Sequence, residues 1–265
     1  MSAQIKSPTR AVEPAEAVGR AVPVKPPRAI MRPVGKAIHD FDMIHDGDRI
    51  LIGISGGKDS LSLLHVLNHL SRYAPVNFAV GAITVDPMVP DFDPSGLRDY
   101  LAALDIPYFY CQQPIMEQAQ EHLDEDGSYC AFCSRMKRGI MYTTARKHGY
   151  NVIALAQHLD DMAESFIMAA FHNGLLKTMK ANYTNRDGDL RIIRPLAYVR
   201  EAQTRDFAAA AGLPVVPDSC PACFQMPTQR QHFKELLAAE ERANPLLFPS
   251  LLNAIRPLMG VKTAD

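Results

Sequence analysis

The chain has 265 residues, 47% of them hydrophobic and 22% charged, enough for one large α/β domain or a domain with a smaller appendage. A formal net charge of −1 excludes a simple nucleic-acid-coating protein and leaves only local basic patches for RNA or DNA. No apolar run reaches the length of a membrane span and the N-terminus lacks the apolar centre of a signal peptide, so a cytoplasmic location is expected.

Residues 1–35 are rich in Pro, Ala and Val and carry Lys6, Arg10, Arg20, Lys25, Arg28 and Arg32 against Glu13 and Glu16. With few large apolar side chains, this stretch reads as a disordered basic arm; a solvated tail without a role fits equally well. The folded part is expected to begin near Val34 with a short helix over 35–44. Arg49–Ile54 is an apolar run that reads as a buried parallel strand. Ser55-Gly56-Gly57-Lys58-Asp59-Ser60 follows, and then a helix over 61–70, whose Leu63, Leu64, Leu67 and Leu70 mark one face.

Further on, Asn77–Val85 reads as a second strand ending at Asp86, the Pro-rich 87–94 as a loop, 95–104 as a helix and Ile106–Cys111 as a third strand. A helix over 134–148 leads to a strand at 151–156. A helix over 160–172 follows, with Ala163, Phe166, Ile167, Ala170 and Phe171 at helical spacing. A late strand covers 191–196 and a helix 200–211. From Thr228 onward the pattern is helical, with Thr228 and Gln231 spaced as a capping box. Strands alternating with helices imply a parallel sheet with helices on both faces, and ligands in such sheets bind beyond the carboxyl ends of the strands. The glycine turn, Asp86 and the turn after Ala156 are expected at that edge.

The hexapeptide sits at a strand-to-helix turn. Two glycines let backbone approach an anion, the helix N-terminus offers unpaired N–H groups, and Lys58 adds a positive charge. The spacing is not that of a Walker P-loop. It resembles the PP-loop of the ATP pyrophosphatase superfamily. The resemblance implies ATP bound by Ser55, Gly56, Gly57 and Ser60, with Lys58 on the phosphates and Asp59 organising Mg²⁺ or the turn. Asp86 is expected either to contact the nucleoside or to serve as a turn residue.

Four of the five cysteines form two Cys-x-x-Cys pairs, Cys130/Cys133 and Cys220/Cys223. A secreted disulfide scaffold does not suit a chain of this size. The spacing alone allows a structural zinc site or an iron–sulfur cluster. Cys111 lies in a strand and reads as an inert buried thiol. The run Cys130-Ala131-Phe132-Cys133-Ser134-Arg135-Met136-Lys137-Arg138-Gly139 resembles a segment of the tRNA 2-thiocytidine synthetases. So do His158-Leu159-Asp160-Asp161, Arg194-Pro195-Leu196-Ala197-Tyr198, and Cys220-Pro221-Ala222-Cys223 followed by Gln229-Arg230-Gln231.

The resemblance covers roughly residues 36–257 and implies an ATP-dependent tRNA thiolase. Such an enzyme adenylates the C2 oxygen of cytidine 32 and replaces it with sulfur delivered by a [4Fe–4S] cluster. It implies Cys130, Cys133 and Cys223 as cluster ligands, with Cys220 in reserve. It implies tRNA and a sulfur donor such as a cysteine desulfurase as partners, and leaves a homodimer open. The expected organisation is the arm over 1–35, a PP-loop α/β domain over 36–227 and a helical extension over 228–265. Lys58, Asp59 and Asp161 are the expected catalytic set, with Asp161 at magnesium or the adenylate, Asp160 as a helix N-cap and His158 in a hydrogen-bonding role. Arg135 and Arg138 share a helical face, and Lys177 and Lys180 form a second basic set. Each suits tRNA phosphate or a solvated surface.

The chain departs from the family pattern at Ala156-Gln157 and at Cys223-Phe224-Gln225-Met226. Those departures leave room for a thiolase acting on uridine or a small molecule. The cysteine spacing leaves room for a non-catalytic zinc-stabilised nucleotide- or RNA-binding paralogue.

Overall fold

Strands β1 (Asp48–Gly53), β2 (Phe78–Asp86), β3 (Tyr108–Gln112), β4 (Val152–Ala154), β5 (Asn182–Thr184) and β6 (Arg191–Ile193) form one sheet in the order β3-β2-β1-β4-β6-β5. The structure is a computed structural model that describes residues 23–89, 92–122, 129–217 and 229–260, with the backbone alone at 120–122 and Cys130. Every pairing is parallel except that of β5 with β6. The apolar run of β1 has its cause here. Ile50 and Ile52 enter the core on one face of the sheet, Leu51 the core on the other, and all three are fully buried.

Helices α1 (Arg28–Asp40), α2 (Lys58–Tyr73), α3 (Ser95–Ala103), α4 (Ile115–His122), α5 (Tyr129–Lys147), α6 (Leu159–Asn173) and α7 (Glu201–Ala210) cover the two faces. The leucines of α2 pack with Ile50 and Ile52, whereas Ile140, Met141 and Ala145 of α5 pack with Leu51, Ile83 and Ile153. Helices α8 (Gln229–Ala243) and α9 (Leu247–Ile255), with a 3₁₀ turn at Arg256–Met259, close the described chain. Phe233 of α8 meets Phe171 of α6 edge to face at 5.6 Å.

Several expected boundaries move. The helix expected over 35–44 runs from Arg28, so residues 28–35 belong to the folded unit and not to the basic arm; residues 1–22 lie outside the described residues. Ile30, Val34 and Ala37, all fully buried, make an i, i+4, i+7 stripe that overrides Pro33 within the helix. Helix α5 begins before the first cysteine pair and not after it, so Cys130 and Cys133 stand one turn apart on the same helix. Helix α4 and edge strand β5 add to the expected set. Strand β5 is short and polar and owes its place to the hairpin Asn185–Leu190, where the Asn185 side chain accepts from Asp189 N and Leu190 N, both at 3.1 Å. Thr228 lies outside the described residues, and Gln231 donates to Glu235 at 2.7 Å.

The chain runs outward from β1 through β2 to β3, then returns to place β4 on the other side of β1. That reversal opens a crevice between the carboxyl ends of β1 and β4, where an open α/β sheet takes its ligand.

Candidate active site

The glycine turn fills the β1 side of this crevice. Gly56 has φ +88°, and a Cβ there would lie 2.8 Å from Val216 Cβ, so only glycine fits. Val216 N donates to Gly56 O at 3.0 Å, binding the turn to the segment that leads toward the second cysteine pair. Ser60 Oγ donates to Gly57 O at 2.9 Å and accepts from Ser55 N at 3.2 Å, and Gly57 N donates to Ser55 Oγ at 3.3 Å. The two serines thus shape the loop. No side chain caps α2 at Gly57, which leaves the first-turn N–H groups for an anion. Gly56→Ala is expected to cost about 1–2 kcal/mol from the backbone conformation alone, with a further loss from the Val216 contact. Thermal melting and an ATP titration should show lower stability and weaker nucleotide binding; an unchanged affinity would contradict this reading of the turn.

Lys58 Nζ lies 2.9 Å from Glu201 Oε1 and 3.0 Å from Asp59 Oδ2. Lys234 Nζ lies 2.7 Å from the other Glu201 oxygen, so one carboxylate joins the glycine turn to α8. Burial acts to raise the Glu201 carboxyl, but hydrogen bonds from Lys234 and Lys58 prevail and hold it at about 2. Burial likewise opposes the charge on Lys58, yet its bond to Glu201 and the nearby Asp59 leave it raised. Asp59 also accepts from Thr204 Oγ1, tying the start of α2 to α7.

On the β4 side the expected cap changes hands. His158, not Asp160, is the N-cap of α6: His158 Nδ1 accepts from Asp161 N at 3.3 Å, and Asp161 Oδ2 accepts from His158 N at 3.0 Å. With Nδ1 accepting, the ring proton sits on Nε2, which lies 3.9 Å from Asp59 Oδ2. Asp160 instead accepts from Arg200 Nε at 3.1 Å and from Glu201 N at 2.8 Å, and so holds the start of α7. Arg200 reaches Glu241 at 2.6 Å and stacks 3.3 Å over Phe248, which fixes α8 and α9 to the same corner. Asp161 faces the crevice with Arg230 Nη1 3.7 Å away.

Two cavities, each about 470 Å³, meet at the glycine turn and share Ser55, Gly57, Asp59, Val85 and Lys137. That volume suits a nucleotide. The first runs toward β4 and β6, past Lys137 and Arg138 to Gln157, Asp161, Arg194 and Arg230. The second runs toward β2 and is more apolar, with Pro87, Val89, Phe92, Met116 and Cys133. Asp86 lines neither. It accepts from Met88 N at 2.7 Å, from Gln112 at 3.3 Å and from Tyr110, so its contacts are those of a turn anchor.

Cys133 is half-buried beside Phe132 and Met136. Cys220 and Cys223 lie outside the described residues, but the flanks of their segment bracket the site. Val216 and Pro217 line the second cavity with Cys133, and Arg230 lines the first. Cys111 sits 3.7 Å from Thr144 Oγ1, and burial raises its thiol pKa, as expected of an inert residue. Arg135 is exposed, whereas Lys137 and Arg138 point into the first cavity. Lys177 and Lys180 are exposed on either side of Met179, which lines the same cavity.

Glu201, Glu164 and Lys234 were not singled out from sequence, and Gln157 only as a departure from the family pattern. Each owes its place to a tertiary contact that local pattern does not carry. Glu164 is 3% exposed; burial and the charge of Asp161 push its carboxyl up to about 7. Its folded pKa thus exceeds its unfolded value, so its stabilising protonation is complete below about pH 4.5 and is lost as pH rises through about 7. Glu164→Gln should remove that loss and raise stability at pH 8 by about 1–3 kcal/mol relative to the change at pH 4. Urea denaturation at both pH values checks this, and an equal change at both contradicts it.

The PP-loop domain family matches residues 28–232. The tRNA-cytidine(32) 2-sulfurtransferase of Geobacter sulfurreducens is 40% identical over 228 residues, which span 86% of this chain and 89% of that protein. The protein of the same name from Stenotrophomonas maltophilia is 38% identical over 239 residues, spanning 90% and 78%. Among solved structures, the U34-tRNA thiolase NcsA from Methanococcus maripaludis with its [4Fe-4S] cluster superposes with a TM-score of 0.70 at 21% identity, covering 89% of this chain and 81% of that one. This last likeness concerns the fold: a mostly parallel sheet with helices on both faces and a helical C-terminal region.

Proposed function

The chain belongs to the PP-loop family and, within it, to the tRNA-cytidine(32) 2-sulfurtransferases, and from that premise we propose that it adenylates the C2 oxygen of cytidine 32 in tRNA and exchanges that oxygen for sulfur. Pyrophosphate leaves in the first step and AMP in the second. The observation that carries this reading is the shared crevice. One cavity joins the glycine turn to Lys137 and Arg138 on the helix of the first cysteine pair, and the adjoining cavity brings Cys133 to the same Ser55, Gly57 and Asp59.

In this reading the amides of Gly56 and Gly57 and the start of α2, with Ser55 and Ser60, receive the ATP phosphates. Lys58 exchanges Glu201 for phosphate oxygen and stabilises charge as pyrophosphate departs. Asp161 and Asp59, which both line the first cavity, supply carboxylate to the Mg²⁺ that accompanies ATP. Lys137, Arg138 and the exposed Arg135, Lys177 and Lys180 attract the tRNA backbone locally, despite a near-neutral chain.

The residues present fit an iron–sulfur cluster. Two cysteines stand one helical turn apart, Cys133 lies against an apolar patch, and the flanks of the second pair line the two cavities. Cys130, Cys133 and Cys223, with Cys220 in reserve, would hold it. Such a cluster would supply the site with iron able to carry sulfur as a nucleophile. A cysteine desulfurase is the proposed source of that sulfur.

The test is reconstitution. Anaerobically purified protein with ATP, Mg²⁺, sulfide and unmodified tRNA should release AMP and pyrophosphate only when the RNA is present, and the RNA should gain 2-thiocytidine. Turnover with small molecules alone, or thiolation confined to uridine, would overturn the assignment. A colourless, zinc-bearing protein without turnover would identify a binding module in its place.

A further inference from the structure

Arg194 is 5% exposed and lines the first cavity. No carboxylate pairs with it among the described residues. Its Nε donates to Gln157 Oε1 at 2.9 Å and its Nη1 to Lys180 O at 2.5 Å, and its guanidinium lies 5.6 Å from the Tyr183 ring centroid. Burial pulls its pKa down; Tyr183 offsets part of this, and nearby Arg138 adds to the fall. A buried cation without a counter-charge is costly to keep, and here it borders the space where a substrate enters.

The contact with Gln157 fixes a second donor. An arginine can only donate, so the Gln157 amide must turn its oxygen to Arg194 and keep its NH₂ for another partner. Gln157 is half-buried and lines the same cavity. It also marks one of the chain's departures from the family pattern. Gln157 thus has its NH₂, and Arg194 the N–H groups left over from its bonds to Gln157, Lys180 O and Tyr183, to offer as donors on the β4–β6 side.

Cytosine carries adjacent acceptors at O2 and N3, whereas N3 of uracil bears a hydrogen. We propose that Arg194 and Gln157 form a donor pair that reads the O2/N3 edge of the target cytidine and rejects uridine. The inference rests on the thiolation reading and adds the means of base selection. Uridine would set N3–H against a donor and leave a buried polar group unpaired, the kind of mismatch that discriminates strongly.

The test measures binding of anticodon stem-loop RNAs that differ only in C or U at position 32, by fluorescence anisotropy with a non-hydrolysable ATP analogue. The wild-type protein should prefer the C loop by about tenfold or more. Gln157→Glu keeps an acceptor for Arg194 but replaces the free donor with an acceptor. It should bring the ratio to about one or invert it. Gln157→Leu should weaken the C loop and leave the U loop nearly unchanged. Gln157 is partly exposed, so its variants are expected to fold, and ATP binding checks this.

An unchanged ratio in Gln157→Glu would overturn the proposal. So would equal weakening of both loops by Arg194→Lys, which would place that cation on backbone phosphate. If the wild-type protein makes 2-thiocytidine yet its selectivity ignores these substitutions, only the donor pair falls. If no cytidine is thiolated, the functional reading falls with it.

Discussion

Lys58→Ala is expected to reduce RNA-dependent AMP release by about two to three orders of magnitude, the range seen when a single preorganised donor to developing charge is removed. The cause is local. Lys58 stands at the first position of α2, beside the uncapped helix N-terminus that offers its N–H groups to phosphate. No other lysine or arginine occupies the turn. The fold should survive, because Glu201 keeps its 2.7 Å pairing with Lys234 and Asp59 keeps Thr204. Bound iron should therefore be unchanged, and steady-state AMP release with iron analysis on the same sample separates the two effects. Normal AMP release by Lys58→Ala would remove the glycine turn from the chemistry.

Cys133→Ser should show the converse. It is expected to lose iron and all sulfur transfer while retaining ATP binding, since the groups proposed to hold phosphate lie on the β1–α2 turn, whereas Cys133, which shares a cavity with Ser55, Gly57, Lys58 and Asp59, belongs to a different element, α5. Serine is a poor ligand for iron–sulfur centres, which favour thiolate. Loss of the brown absorbance, iron and sulfide analysis, and an ATP titration read the three consequences. Cys111→Ser is the control. That thiol is half-buried against Thr144 with a raised pKa, and its replacement should leave iron content and turnover intact. Full sulfur transfer by Cys133→Ser would contradict the metal reading.

The parts legible in the sequence are those encoded by local pattern. Ile50, Leu51 and Ile52 in a row announced a strand buried on both faces, and the glycines and Lys58 announced the turn after it. The crevice followed from alternation of strands and helices, because a parallel sheet brings every strand-to-helix turn to one edge. What escaped was tertiary. Pro33 made residues 28–35 look like an arm, yet Ile30 and Val34 found a core to fill. Asp160 looked like a cap from its position, but Arg200 and the Glu201 amide claimed it and His158 took the cap. Glu201 is one acidic residue among many until the fold sets it between Lys58 and Lys234. Gln157 stood out only as a departure from a family pattern until Arg194 approached its amide oxygen.

The most direct measurement of whether nucleotide activation and sulfur delivery meet on one base is mass spectrometry of tRNA nucleosides from cells with and without this protein. Deletion should eliminate 2-thiocytidine, and wild-type protein should restore it while Lys58→Ala and Cys133→Ser, each expressed at normal levels, should not. Undiminished 2-thiocytidine after deletion, or restoration by either variant, would contradict the account.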